Sequence, residues 1–517
     1  MRQVPEGTDT RLADEISRDG VKLFIGGEFV DAKDGAVFPA VDPFDGQPWH
    51  DVADASAEDV DRAVAAARDA QRAWGSRSAA DRATVMLAVA DAVEGYAEAL
   101  GVLDTLDNGK LLRETAAQAS GVAHSLRFSA GNAEKINGVT APSAKADVLA
   151  MTIRQPIGVI GVIVPWNSPV PLLMSAAAPA IAAGNSVVVK TSEDAAASIA
   201  AFARIAAEAG LPAGVLNVIS GKGPAAGDAL VRNSGVAKIV FTGGDAVGRK
   251  VAIAAAERLV PALLELGGKS PQLVFKDADL DLAVNGLIGG VFAAMGQTCV
   301  AGSRAIVHED IHDELVRRLA ERAKSLRFGD PLDPQTQIGP LGSSRQLSRA
   351  CEFVATAQTD GATLAAGGGT RPTGSGEGAY FEPAVFEGVE PGHTLFREEV
   401  FGPVIGFTKF RTFDEAIALA NDSRFGLASG VWTSNLDTAM RAVQRIESGT
   451  VWVNTYRAPE ASTSAGGVKD SGYGRLGGAR ELELFTVEKT VIINYSGVGN
   501  DPFVMGGSAA DAPSEPA

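Results

Sequence analysis

A thiol and a carboxylate frame the chemistry open to this 517-residue chain. Cys299 lies in Ala294-Met295-Gly296-Gln297-Thr298-Cys299-Val300-Ala301-Gly302, and Glu265 in Leu264-Glu265-Leu266-Gly267-Gly268-Lys269. A thiolate adds to a carbonyl carbon and forms a covalent adduct. A carboxylate on a separate glycine-punctuated turn can then take the proton of the water that releases an acyl group. Taken singly, a cysteine among small residues reads as a small buried hydrophobe, and a glutamate beside Gly-Gly as a turn residue. A third segment, Pro165-Trp166-Asn167-Ser168-Pro169, follows an apolar run and offers an amide donor of the kind that stabilises an oxyanion.

Elements that can hold these groups follow from the apolar pattern. From residue 157, short β-branched runs alternate with helical stretches: strands over 157–164, 186–190, 215–220, 238–242 and 262–266, with helices over 172–183, 195–209, 225–233 and 246–258. Such alternation predicts βαβ units and a parallel sheet covered on both faces. Ligands of such sheets sit at the carboxyl ends of the strands. Asn167, Lys190, Thr242 and Glu265 all fall just past strand ends, so one crevice can collect them. A second alternating region has strands at 272–275, 306–308, 404–410, 430–433 and 450–454, with helices over 313–327 and 437–446 between them. It carries Cys299, which puts the expected site in an interdomain cleft.

Composition bounds the rest. The length exceeds what one core supports. The net charge of −17 disfavours nucleic acid and anionic membrane surfaces as partners. No apolar run reaches the ~18–20 residues of a membrane span. Two cysteines give no disulfide framework and suit a reducing cytosol, so a cytoplasmic location is expected. No histidine pair has metal-ligand spacing, and no metal is expected. Residues 1–20 read as a loose, signal-free arm, and 498–517 as a disordered tail of small residues and proline.

The three chemical segments together closely resemble the aldehyde dehydrogenase superfamily, over about residue 22 to about residue 495. The resemblance implies an α/β fold with a Rossmann-like cofactor domain (21–137 and 156–267) and an α/β catalytic domain (268–486). It adds a small β oligomerisation element (138–155 and 487–497) that joins copies into a homodimer or homotetramer. It assigns Cys299 as nucleophile, Asn167 as oxyanion donor and Glu265 as base for thioester hydrolysis, giving NAD-dependent oxidation of an aldehyde to a free acid. A CoA-acylating semialdehyde dehydrogenase is the alternative within the fold, disfavoured because those relatives generally lack the carboxylate. A non-catalytic binding or structural protein is the alternative outside it.

The same resemblance implies cofactor contacts from Trp166, Lys190, Glu193, Thr242, Gly243, Gly244, Gly248, Leu266, Glu399 and Phe401. The Glu193 carboxylate favours NAD over NADP, because it would repel a 2′-phosphate. The family's usual serine in the phosphate turn is Gly244 here, and its frequent proline before the ribose-binding residues is Thr191. Gly466-Gly467-Val468-Lys469-Asp470-Ser471-Gly472-Tyr473-Gly474-Arg475 resembles the family's glycine-rich closing motif, read as structural. The substrate pocket would be lined by Ser168, Leu172, Ser175, Val300, Tyr456 and Arg457. The family's common Trp-Lys pair falls on Ser175 and Ala176, which implies a wider and more apolar channel.

Overall fold

The computed structural model describes residues 4–371, 378–458, 460–497 and 503; most of the expected tail lies outside the described residues. Two sheets organise the chain. The first has eight strands in the order Glu28–Val30, Leu23–Ile25, Leu216–Ile219, Ser186–Lys190, Val159–Ile163, Lys238–Thr242, Ala262–Glu265, Gly472–Tyr473. The five from Leu216–Ile219 to Ala262–Glu265 run parallel and are almost wholly apolar, as a sheet covered on both faces requires. Strand order reverses between Val159–Ile163 and Lys238–Thr242, which opens a crevice at their carboxyl ends. Register brings the candidate groups to one level: Ile163 pairs with Lys190, and Thr242 with Glu265.

The second sheet has seven strands in the order Thr363–Ala366, Ala384–Glu387, Val404–Phe410, Arg304–His308, Pro271–Val274, Ala428–Trp432, Thr450–Val453, all parallel but the first. Helix Glu309–Lys324 buries Leu315, Val316 and Leu319 against it. A third, three-stranded sheet pairs Thr486–Asn494 antiparallel with Val148–Pro156, and the latter with Thr140–Ala141. Among the described residues, no helix is long and apolar enough to cross a membrane, and no group of three or more His, Cys, Asp or Glu residues could hold a metal ion.

Two expectations need correction, and two features were not foreseen. The arm contains a helix, Arg11–Asp19, anchored by Leu12 and Ala13 with Ile16 packed beside them; its nine residues are too few for the apolar spacing to stand out. The helix expected over 225–233 is split into a π turn, Gly223–Gly227, and a short helix, Asp228–Arg232. Pro224 and the flanking glycines withhold the donor and the rigidity a regular start needs. The strands Thr363–Ala366 and Ala384–Glu387 were not foreseen. The boundary at 268 is not clean either, since Gly472–Tyr473 returns to close the edge of the first sheet, pairing with Leu264 and Glu265.

Candidate active site

Cys299 follows a loop with unusual backbone. Helix Leu280–Val291 ends in the turn Ala293–Gly296, where Ala294, Met295 and Gly296 have φ of 52°, 54° and 66°. Left-handed geometry at two residues with side chains costs free energy and persists only where neighbours impose it. One such neighbour is Glu114, whose Oε1 accepts from Ala294 N at 3.1 Å. Gly268 is another: a Cβ there would lie 2.7 Å from the Cys299 carbonyl oxygen. The thiol is half-buried, and burial, reinforced by Glu265 and Glu399, pushes it up to about 12.

Glu265 ends its strand facing the closing motif. A Cβ on Gly466 would come within 2.8 Å of its Oε1, which is buried without a hydrogen-bond partner. Burial raises the carboxyl to about 8, against a smaller opposing effect of the Arg475 guanidinium. Asn167 is buried, and its Nδ2 donates to Gln297 O at 2.9 Å, two residues before Cys299. Gln297 Oε1 in turn accepts from Gly342 N at 2.8 Å. The Cys299 loop, Glu265 and Asn167 therefore meet where the two large sheets join.

The strand ends carry the remaining cofactor candidates. Lys190 Nζ is 3.5 Å from Glu193 Oε2, and burial lowers the proton affinity of that amine. Thr242 and Gly243 lead into helix Asp245–Glu257, whose N-cap residue, Gly244, gives no side-chain cap. A Cβ at Gly244 would meet nothing within 4 Å, so the helix N-terminus faces open space, as a phosphate-binding turn must. Gly248 allows the helix to close on Leu266, whose Cδ2 would lie 2.5 Å from an added Cβ. Glu399 Oε1 accepts from Gly268 N at 3.0 Å, and burial raises this carboxyl to about 7. Phe401, at φ 56°, meets Trp166 edge to face with centroids 5.6 Å apart.

The expected pocket residues fall on two separate segments. Ser168, Leu172 and Ser175 are half-buried along the start of helix Pro169–Ala182. Tyr456 donates its hydroxyl to Val300 O at 2.8 Å, and Arg457 follows it with φ 55°. The surroundings of Ser168 are less apolar than the sequence implied. Lys110 Nζ donates to Ser168 Oγ at 2.8 Å and to Gln118 Oε1 at 3.1 Å.

Sequence reasoning missed Lys110, Gln118, Glu114 and Asn108, which lie on elements distant in sequence from the reacting groups. Asn108 Nδ2 donates to Trp166 O at 3.1 Å and so steadies the segment that carries Asn167. The available signal was Asn108-Gly109, a helix stop in which Gly109 has φ 75° and throws Lys110 inward. The closing motif is more intimate with the site than a structural reading implied. Ser471 Oγ donates to Gly267 O at 2.7 Å, and Leu266 N donates to Ser471 O at 3.0 Å.

The Aldehyde dehydrogenase family model matches residues 29–491. The chain belongs to the aldehyde dehydrogenase family. It is 42% identical over 489 residues to (Z)-2-((N-methylformamido)methylene)-5-hydroxybutyrolactone dehydrogenase of Acinetobacter baylyi, covering 94% of this chain and 99% of that relative. Among solved structures it is similar to betaine aldehyde dehydrogenase of Staphylococcus aureus in complex with NAD+, with a TM-score of 0.93, 33% identity, and coverage of 95% and 99% of the two chains. It is also similar to the NAD+ complex of an aldehyde dehydrogenase from Bacillus cereus, with a TM-score of 0.92, 36% identity, and coverage of 96% and 100%.

Proposed function

We infer that this aldehyde dehydrogenase oxidises an aldehyde to the free carboxylic acid with NAD. The observation that carries the reading is the meeting of Cys299, Asn167 and Glu265 at the carboxyl ends of the first sheet, beside an uncapped helix start. The Cys299 thiolate adds to the carbonyl carbon, and the Asn167 amide with the Cys299 backbone N–H receives the resulting oxyanion; one such donor is worth about 10²–10³ in rate. NAD, when bound, accepts the hydride that leaves this carbon. Glu265 then takes a proton from water, the hydroxide adds to the thioester carbon, and the C–S bond breaks to release the acid and restore the thiolate.

Lys190 and Glu193 would hold the adenosine ribose. Thr242, Gly243, Gly244 and Gly248 would receive the pyrophosphate, with Leu266 packed against Gly248. Glu399 suits the nicotinamide ribose, and Phe401 with Trp166 the ring. The unpartnered, buried oxygen of Glu265 favours hydrolysis over acyl transfer to CoA, since a general base needs a free lone pair within the site. Following NADH absorbance on mixing the protein with NAD and a neutral aldehyde, with and without CoA, tests this. Turnover that needs CoA, or no turnover with any aldehyde, would overturn it.

Self-association has its own support. Ile492, Ile493, Val487, Leu149 and Ile153 leave apolar surface exposed on the three-stranded sheet, an edge and face that a second copy would cover. Light scattering on the protein and on Ile492→Glu tests the assignment: a multimer that the charge dissociates is expected, and a monomeric parent protein would end it.

A further inference from the structure

The loop that carries Cys299 is held on both flanks by one other segment. The last carbonyls of a helix lack intrahelical partners, and helix Leu280–Val291 runs into a left-handed turn that gives them few. Gly290 O accepts from Gly302 N at 3.1 Å, beyond the thiol. Gly289 O and Ala293 O both accept from Arg457 Nη1, at 3.0 and 3.4 Å. A guanidinium suits that position, because it is charged, planar and rich in donors, and a helix ends in partial negative charge. On the other side of Cys299, Val300 O accepts from the Tyr456 hydroxyl at 2.8 Å. Two consecutive residues thus grip the chain before and after the cysteine.

The gripping segment is itself fixed to the second sheet. Asn454 Oδ1 accepts from Thr433 N at 3.0 Å, and Asn454 Nδ2 donates to Thr433 O at 2.9 Å. The Trp452 indole N–H donates to Ala458 O at 2.9 Å, and its ring meets Tyr456 edge to face with centroids 4.9 Å apart. Gly290 lets the Tyr456 ring close on the helix, since a Cβ there would lie 3.0 Å from it. Arg457 adopts φ 55°, a conformation costly for a residue with a side chain. That cost is spent at the point where its side chain turns to the carbonyls of Gly289 and Ala293.

We propose that Tyr456 and Arg457 are positioning residues, a clasp that keeps the Cys299 loop in the geometry in which the thiol meets the aldehyde carbon. This rests on the aldehyde-oxidising reading above, and it moves Arg457 from the substrate pocket, where the sequence put it, to the support of the nucleophile. Glu114 reaches the same turn from helix Leu112–Asn132, through Ala294 N, so the loop is braced from two elements and yields little.

The test pairs steady-state kinetics with alkylation of the thiol in three variants. Tyr456→Phe keeps the ring and removes one donor, so kcat with NAD and a saturating neutral aldehyde should fall about fivefold, the worth of one hydrogen bond. Arg457→Met removes both contacts of the guanidinium, and kcat should fall about a hundredfold, as for an ångström-sized misplacement. Arg457→Lys should recover part of that loss, and KM for NAD should stay constant throughout. Iodoacetamide should modify Cys299 faster in the order of the kcat losses, because a looser loop lets water reach a thiol that burial pushes up. Peptide mass spectrometry reads this site by site, and Cys351, on helix Ser344–Thr359, should keep its rate.

Unchanged kcat and unchanged Cys299 alkylation in Tyr456→Phe and Arg457→Met would overturn the proposal. So would losses confined to KM for particular aldehydes, which would make Arg457 a substrate contact, or a Cys351 rate that rises in step, which would mean general loosening. If the parent protein yields no NADH from any aldehyde, the underlying reading fails, while the alkylation rates still decide whether the clasp holds the loop. Since Tyr456→Phe removes a single atom, a poorly folding Arg457→Met leaves the test intact.

Discussion

Gly268 and Cys299 touch through their backbones: any side chain on the glycine would begin 2.7 Å from the cysteine carbonyl oxygen. The turn that leaves Glu265 thus also seats Cys299, and Gly268 N donates to Glu399. Gly268→Ala should displace the Cys299 loop and lower kcat by about a hundredfold, the scale of an ångström-sized misplacement. Steady-state kinetics with thermal melting will check this, and an unchanged kcat would show that the loop yields freely.

Removing the nucleophile should be more severe. Cys299→Ala is expected to keep below about one per cent of turnover while NAD titration still quenches tryptophan fluorescence. Greater residual turnover would move the nucleophile elsewhere.

Glu265→Gln should leave a rapid burst of NADH and stall the steady state, since an amide cannot take the proton from water. In the parent protein, deacylation should climb with pH through about 8, where the buried carboxyl ionises. Stability carries the opposite sign. In the unfolded chain the group titrates near ~4.3, so between there and about 8 folding takes up a proton and native stability falls as pH rises. Glu265→Gln should flatten both slopes. It should also speed alkylation of Cys299 by iodoacetamide above pH 8, because Glu265 is a like charge that raises the thiol; slower alkylation would mean that Glu265 deprotonates the thiol instead.

Cofactor choice provides a fourth measurement. Glu193 is half-exposed and only loosely paired with Lys190, at 3.5 Å, so its carboxylate remains free to meet a ribose. NAD should be preferred over NADP by at least about tenfold, as like charges brought together cost that or more. Glu193→Gln should narrow the ratio. Equal use of both cofactors by the parent protein would remove Glu193 from the site.

The parallel strands and the crevice between them were legible because buried parallel strands are continuous apolar runs, and strand ends are punctuated by glycine. Cys299, Glu265 and Asn167 could be read from local segments because each sits in a short, distinctive turn. Lys110 could not, since its approach to Ser168 depends on how helix Leu112–Asn132 packs on helix Pro169–Ala182, a tertiary fact with no local pattern. Ser471 was similarly hidden: a glycine-rich stretch says that backbone comes close to something, and not to what. Strands such as Thr363–Ala366 are too short and too rich in alanine to stand out.

The return of Gly472–Tyr473 to the edge of the first sheet also orders events during synthesis. Until those residues leave the ribosome, the strand that ends at Glu265 has an open edge, and Leu266 and Gly267 lack their partners on Ser471. The amino-terminal half can therefore fold around its βαβ units as it emerges while the surroundings of Glu265 stay unfinished. A nascent chain carries Cys299 long before Glu265 has its last neighbours, and the segment 471–473 acts as the fastener that joins the two regions.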